Sequence, residues 1–268
     1  KPIARLELPD GVEWIEFGAG RVALGEFGLQ HEGQPVRRLD AGRWDRLPER
    51  PLEHHLNEIH VEIDLQPGGT SRGVLEERLL GLTAALRVNY LDARDARDTL
   101  DYELNNFFPG ATLVDYELRG VEEPNAELGY HVLFNAAGLG GFEGSRYNLP
   151  VVLQPFNLAN NFINRNERHY DLAYADYLSQ SSTVVLRLPP GWTVEESSLV
   201  DEELQALAAS YELRTETRDG DDGRELVINR RLLLPPQHVE TDDYLEFREF
   251  CRAVDELERL RVTLVPTE

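Results

Sequence analysis

The stretch His55-Leu56-Asn57-Glu58-Ile59-His60-Val61-Glu62-Ile63-Asp64-Leu65 decides the fold, because its side chains alternate with a period of two. His55, Asn57, Ile59, Val61, Ile63 and Leu65 share one face, while His54, Glu58, His60, Glu62 and Asp64 fall mostly on the other. An apolar face backed by a charged one is the pattern of a half-buried strand. Pro67-Gly68-Gly69 then turns the chain, and Gly73 to Leu80 reads as the returning strand of a hairpin.

Beyond the hairpin the period changes. Leu86, Tyr90, Ala93, Ala96, Leu100, Leu104 and Phe107 recur at spacings of three and four, which predicts one long amphipathic helix ending at Pro109-Gly110. Thr112 to Leu118 and Leu128 to Phe134 return to alternation, completing a β-β-α-β-β unit over residues 52–137. Residues 1–51 are punctuated by Gly18, Gly20, Gly25, Gly28, Gly33 and Gly42 and read as a connecting arm, with Pro48 and Pro51 at its boundary. Residues 138–268 read as a β-rich region. Its expected elements are an edge strand at Asn148–Gln154, a loop from Phe156 to Arg168, and strands at Tyr170–Tyr177 and Ser182–Leu188. A short helix at Glu202–Ala209, a hairpin turning at Asp219-Gly220-Asp221-Asp222-Gly223, a helix at Asp242–Leu260 and a strand at Val262–Val265 complete it. The fold class is therefore α+β, dominated by antiparallel sheet in sandwich-like units, with one long helix and a shorter C-terminal amphipathic one.

Composition narrows the function classes. The 268 residues carry 27 basic and 49 acidic side chains, a formal charge of −22, and Lys1 is the only lysine. Phosphate neutralisation needs clustered positive charge, so a nucleic-acid partner is not expected, and an anionic membrane surface would repel the chain. No apolar run approaches the ~20 residues that span a bilayer. A single cysteine excludes an intramolecular disulfide framework and a cysteine-based zinc cluster. The lack of methionine and a strand pattern as early as Val12–Phe17 suggest a piece of something larger.

Candidate chemistry is sparse. Cys251 shares a helical stripe with Tyr244, Phe247, Val254 and Leu257, beside Glu249, Asp255 and Glu256, so a packed and unreactive thiol is expected. The densest group of metal-capable side chains is His54, Glu58 and His60, with His55, Glu53 and Glu62 beside them. Zinc accepts such a mixture, yet the bland reading is a solvated strand face, and no tight metal site, catalytic residue or cofactor-binding residue is assigned. Asp219, Asp221 and Asp222 suit a turn better than a calcium loop. Tyr170, Tyr174, Tyr177 and Trp192 could form an aromatic platform for a sugar, although alternation sends Tyr170, Leu172 and Tyr174 to one face, where packing explains at least two of them.

Several short pieces, in order, resemble the C-terminal portion of a bacterial transglutaminase-like family with a papain-like Cys-His-Asp core. They are Gly25-Glu26-Phe27-Gly28-Leu29, Gly81-x-x-Ala84-x-x-Arg87, Phe108-Pro109-Gly110-Ala111, Arg168, Leu188-Pro189-Pro190-Gly191-Trp192 and Tyr244-x-x-Phe247-x-x-Phe250. By that resemblance the family cysteine and histidine would precede Lys1, and the aspartate would fall near Trp14-Ile15-Glu16, where this chain has glutamate. The resemblance implies a non-catalytic, accessory region of an exported protein, periplasmic or extracellular, whose partner is a catalytic domain of the same or another polypeptide. Two other classes stay open: a cell-surface module binding glycan or peptide, and an independent metal-dependent hydrolase using the cluster from His54 to Glu62.

Overall fold

The computed structural model describes residues 3–16, 25, 27, 31–50, 52–55, 57–92, 94–122, 127–163, 165–174, 178–220 and 223–267. The glycine-punctuated stretch 17–24, the segment around Gly28-Leu29, Tyr177, and the turn residues Asp221 and Asp222 lie outside them. Within the expected arm stand two small hairpins, β1 (Ile3–Leu8) with β2 (Gly11–Glu16) and β3 (Pro35–Arg37) with β4 (Trp44–Arg46). Trp14, Phe27 and Leu47 give them a small core of their own.

After a 3-10 turn at Leu52–His55 come β5 (Asn57–Asp64), β6 (Thr70–Leu79), α1 (Gly81–Asp92), α2 (Ala96–Phe107), β7 (Thr112–Arg119) and β8 (Leu128–Ala137). The chain continues through β9 (Gly141–Glu143), β10 (Arg146–Pro150), α3 (Leu158–Phe162), β11 (Leu172–Tyr174), β12 (Leu178–Arg187) and β13 (Trp192–Val194). It closes with β14 (Asp201–Ala206), β15 (Ala209–Gly220), β16 (Gly223–Leu234), β17 (Gln237–Val239), α4 (Tyr244–Leu257) and β18 (Arg261–Pro266). The architecture is α+β and sheet-dominated.

Eight strands form one sheet in the order β14-β15-β16-β12-β5-β6-β8-β7. Neighbours in it are antiparallel except β5 and β12, which run parallel from Asn57 beside Gln180 to Asp64 beside Arg187. Alternation on β5 works as its sequence requires: Ile59, Val61 and Ile63 are buried, while Glu58, His60, Glu62 and Asp64 face outward. One continuous core joins these residues to α1, α2, α4 and a second sheet ordered β13-β18-β10-β9.

Both free edges of the large sheet are guarded, as edge strands require. On β7 the Leu113 amide donates to Asp101 of α2 at 3.0 Å, Arg97 reaches the Leu113 and Val114 carbonyls, and the register slips between Leu113 and Asp115. The β14 edge carries Asp201, Glu202 and Glu203, all exposed, whose charge repels an incoming strand.

Five expectations are corrected. The long helix is two, because Asp95 adopts an extended conformation and caps α2 by accepting from the Asp98 amide. The break shifts the helical phase, so Ala84, Val88 and Leu91 are buried in α1 and Leu86 is 54 % exposed. Residues Glu202–Ala206 form a strand, not a helix, since pairing with β15 outweighs the helical propensity of Glu-Glu-Leu-Gln-Ala. The strand expected over Asn148–Gln154 stops at Pro150 and lies inside its sheet, between β9 and β18. The expected loop Phe156–Arg168 contains α3. His54 and His55 belong to the 3-10 turn, not to β5.

The C-terminal helix is locked to the sheet by acids on its buried stripe. Tyr244, Phe247, Phe250, Cys251 and Val254 pack inward, and Asp255 and Glu258 continue the same face. Arg230 of β16 pairs with Glu258 at 3.0 Å, both almost fully buried, and its guanidinium also donates to the Gln154 carbonyl at 2.8 Å. The other Glu258 oxygen accepts from the Phe156 amide at 2.6 Å, and the Tyr211 hydroxyl donates to the first at 3.2 Å. Asp255 accepts from the Leu158 and Ala159 amides that open α3. Burial drives the Glu258 carboxyl upward and the Arg230 guanidinium downward in pKa, and each charge opposes the other's shift. Glu258→Ala, which strands a buried guanidinium, is therefore expected to destabilise the protein by about 3–5 kcal/mol. An unfolding free energy, from urea titration, within ~0.5 kcal/mol of the parent would contradict this account.

Candidate functional site

Two polar neighbourhoods stand out, one on each face of the large sheet. On the outer face, strand pairing aligns His60, Glu76, His131 and Glu117 across β5, β6, β8 and β7. A depression of about 450 Å³ there is lined by Glu58, His60, Arg78, Arg119, Glu127 and His131. Its groups are largely engaged with one another. Arg78 bridges Glu58 at 2.8 Å and Glu127 at 2.6 Å, His131 meets Glu76 at 3.1 Å, and His60 meets Glu62 at 3.3 Å. His60, then burial, then Arg187 act on the Glu62 carboxyl, with a net lowering of its pKa.

The structure does not assemble the trio His54, Glu58 and His60. Glu58 and His60 share the outer face, while His54 sits in the 3-10 turn with its ring edge-on to His55 and its carbonyl and imidazole against Gly81. Gly81 holds φ +58° there, and an added Cβ would lie 2.7 Å from the His54 carbonyl, so this close approach requires glycine. Among the described residues no three His, Cys, Asp or Glu side chains converge as metal ligands. The aromatic residues proposed as a sugar platform are also dispersed. Tyr170 is exposed, Tyr174 packs on Phe162 and Phe247, and Trp192 leans toward Phe142. Glu16, where the resemblance would put an aspartate, is buried and lies 3.7 Å from His31.

On the inner face, a cleft of about 470 Å³ opens between the sheet, α1 and α2, and the segment around Gln154. Asn57 begins β5, Gln180 stands beside it on β12, and Glu77 of β6 lies between Ile59 and Tyr130 in register. These three polar side chains occupy positions where the alternation places core residues. Asn57 Nδ2 donates to Glu77 at 2.9 Å, while Asn57 Oδ1 is buried without a hydrogen-bond partner. The amides of Gln154, Gln180 and Asn106, which also line the cleft, are engaged by no hydrogen bond of their side chains among the described residues. The buried Asn57 oxygen costs free energy where it stands, whereas the other three amides are open to water or a ligand.

The cationic side is occupied. Arg87 of α1 grips Glu103 of α2 through two guanidinium nitrogens and donates from Nε to the Tyr130 hydroxyl at 2.6 Å. Burial works against the Arg87 charge, but Tyr130, Glu103 and Glu77 together hold its pKa up. Burial raises the Glu77 carboxyl above its ordinary value against the pull of Arg87 and Asn57, and it raises the Tyr130 hydroxyl as well. A carboxyl that resists ionisation, set in a cleft with unspent amides, can donate as well as accept a hydrogen bond.

Sequence reasoning missed this cleft, although two signals were visible: Asn57 on the apolar face of β5, and Glu77 alternating with Leu75 and Leu79. Cys251 lies away from it, fully buried on α4, its thiol pushed up to about 12 by burial and then by Asp255.

Residues 145–264 match a family described as a Domain of Unknown Function with a solved structure, DUF3858. No curated protein and no solved structure matches the chain. The matched segment contains β12, β14, β15, β16 and α4 but not β5–β8, so its half of the large sheet ends at the parallel seam.

Two outcomes follow from these environments. Because the Glu77 pKa is raised on folding, the unfolded chain releases that proton first, and stability falls as pH rises from the ordinary carboxylate range through the folded pKa. Glu77→Gln keeps an acceptor for Asn57 and should flatten that part of the stability curve, gaining relative to the parent at pH 8 but not at pH 4. Denaturant titrations at the two pH values check it, and an equal shift at both would refute it. Separately, Cys251 should resist a thiol reagent at pH 8 in the folded protein and react stoichiometrically in denaturant; rapid labelling without denaturant would show the packing to be wrong.

Proposed function

We propose that this chain is a non-catalytic binding module that holds a small or polymeric ligand in the cleft between α1, α2 and the sheet. The observation that carries the reading is a cleft lined by the amides of Gln154, Gln180 and Asn106, whose side chains make no hydrogen bond among the described residues, beside a buried Asn57 whose Oδ1 has no partner. Its volume falls in the ~300–1,000 Å³ range of small-molecule sites, and a few convergent polar groups among apolar walls is their usual lining. Binding is favoured over a hydrolase at the cluster from His54 to Glu62 because Glu58 and His60 are already engaged by Arg78 and Glu62. The accessory role implied by the transglutaminase-like resemblance belongs to the same proposal: the module would hold a ligand outside the cytoplasm while a neighbouring catalytic domain acts on it.

The test is titration of the isotopically labelled chain with a panel of neutral oligosaccharides, uronic-acid oligosaccharides and short peptides. At least one class should shift the backbone amides of Asn57, Gln180 and α1 saturably. If every compound leaves those amides unmoved, the binding reading fails.

A further inference from the structure

Resting on that reading, we infer that the cleft's ligand is an uncharged saccharide, its hydroxyls paired with Gln154 and Gln180 and its apolar face laid against Leu86 and Phe107. The argument is one of matching donors and acceptors. Asn57 is held to Glu77 through Nδ2 and its Oδ1 is closed off from solvent, so the amides a ligand can reach are those of Gln154 and Gln180. The Gln154 and Gln180 amides each offer donors and an acceptor, as hydroxyl groups do.

Charge points the same way. An anionic ligand would need a free cation, but the guanidinium in the lining, Arg87, is bound to Glu103 and to the Tyr130 hydroxyl. A cationic ligand would need a free carboxylate, whereas Glu103 is spent on Arg87 and burial disfavours the ionised form of Glu77. A neutral hydroxyl adds no further charge to a site where burial already disfavours the ionised form of Glu77, the arrangement that costs least at low dielectric. At the mouth, Leu86 stands 54 % exposed and Phe107 is half-buried, an apolar wall suited to the C–H face of a sugar ring, while the neighbouring Tyr90 ring carries Arg94. The outer depression lacks this combination, since its polar groups are paired and its lining is charged.

The experiment uses the whole chain in calorimetric titrations and amide-shift mapping. The probes are cello-, chito- and malto-oligosaccharides as the neutral arm, oligogalacturonate as the acidic arm, and Arg- or Glu-containing tetrapeptides as the peptide arm. A member of the neutral arm should bind at the cleft, and Gln180→Ala and Gln154→Ala should each weaken it about tenfold. Ser181→Ala, the next residue of β12 and directed to the opposite face, should leave it within twofold and serves as the folding control. Should the acidic or peptide arm shift the cleft amides while neutral sugars do not, the ligand class is wrong and the binding reading survives. If sugar binding persists within twofold in both glutamine variants, the site is elsewhere and the inference falls. A panel with no response in any arm removes the inference and the binding reading together.

Discussion

The buried pair of Arg230 and Glu258 is the constraint on which the C-terminal half of the protein is organised. One carboxylate gathers a strand, a tyrosine hydroxyl and a loop amide, and Asp255, one turn earlier, fastens the start of α3. Such a pair gains little net stability over an apolar substitute, because desolvation of both charges offsets their attraction. Its value is positional. A hydrophobic contact between α4 and the sheet would tolerate sliding, whereas these directional bonds admit one arrangement of helix, strand and loop. The Gln154 carbonyl is bound to Arg230, so the same clamp sets the segment that forms one wall of the inner cleft.

The cleft and the outer face show two uses of polar residues on one sheet. Outward, charges are arranged in neighbouring pairs across strands, and each exposed pair contributes little. Arg187 is the densest case, reaching Glu62 and Asp64 on β5 and Glu225 on β16. Inward, polar side chains interrupt a face that is otherwise apolar, and several of their atoms find no protein partner. Surface charge needs no further explanation on a chain of net −22, whereas amides facing the core do.

Much of the fold was legible because local pattern and tertiary environment agree. β5 alternates in sequence and in burial; α4 carries its apolar stripe in both; β15 and β16 pair antiparallel up to Gly220 and Gly223. Errors arose where they disagree. The segment Glu202–Ala206 has helix-forming residues but pairs with β15, and the stripe from Leu86 to Phe107 concealed the cap at Asp95. The cleft could not be assembled by reading along the chain, because Asn57, Glu77 and Gln180 meet only through strand register. That Asn57 and Glu77 each interrupt an apolar alternation was the available signal. Asp255 and Glu258 are a similar lesson: their helical phase continues the buried stripe of α4, a position that their charge alone does not announce.

The parallel seam between β5 and β12 has a kinetic meaning. On either side of it the strands are joined mainly through near neighbours in sequence, as in the hairpins β5–β6 and β15–β16. Across it, Asp64 and Arg187 meet over a separation of 123 residues. Closing so long a loop costs entropy before any seam bond forms, so each half-sheet can gather its own contacts first and the seam closes late. Until then β5 and β12 are bare edges in the middle of what will be the sheet, without the bulge that marks β7 or the row of acids that guards β14. During synthesis β5 emerges long before β12, and for that interval its open edge is where mispairing with another chain is most favoured.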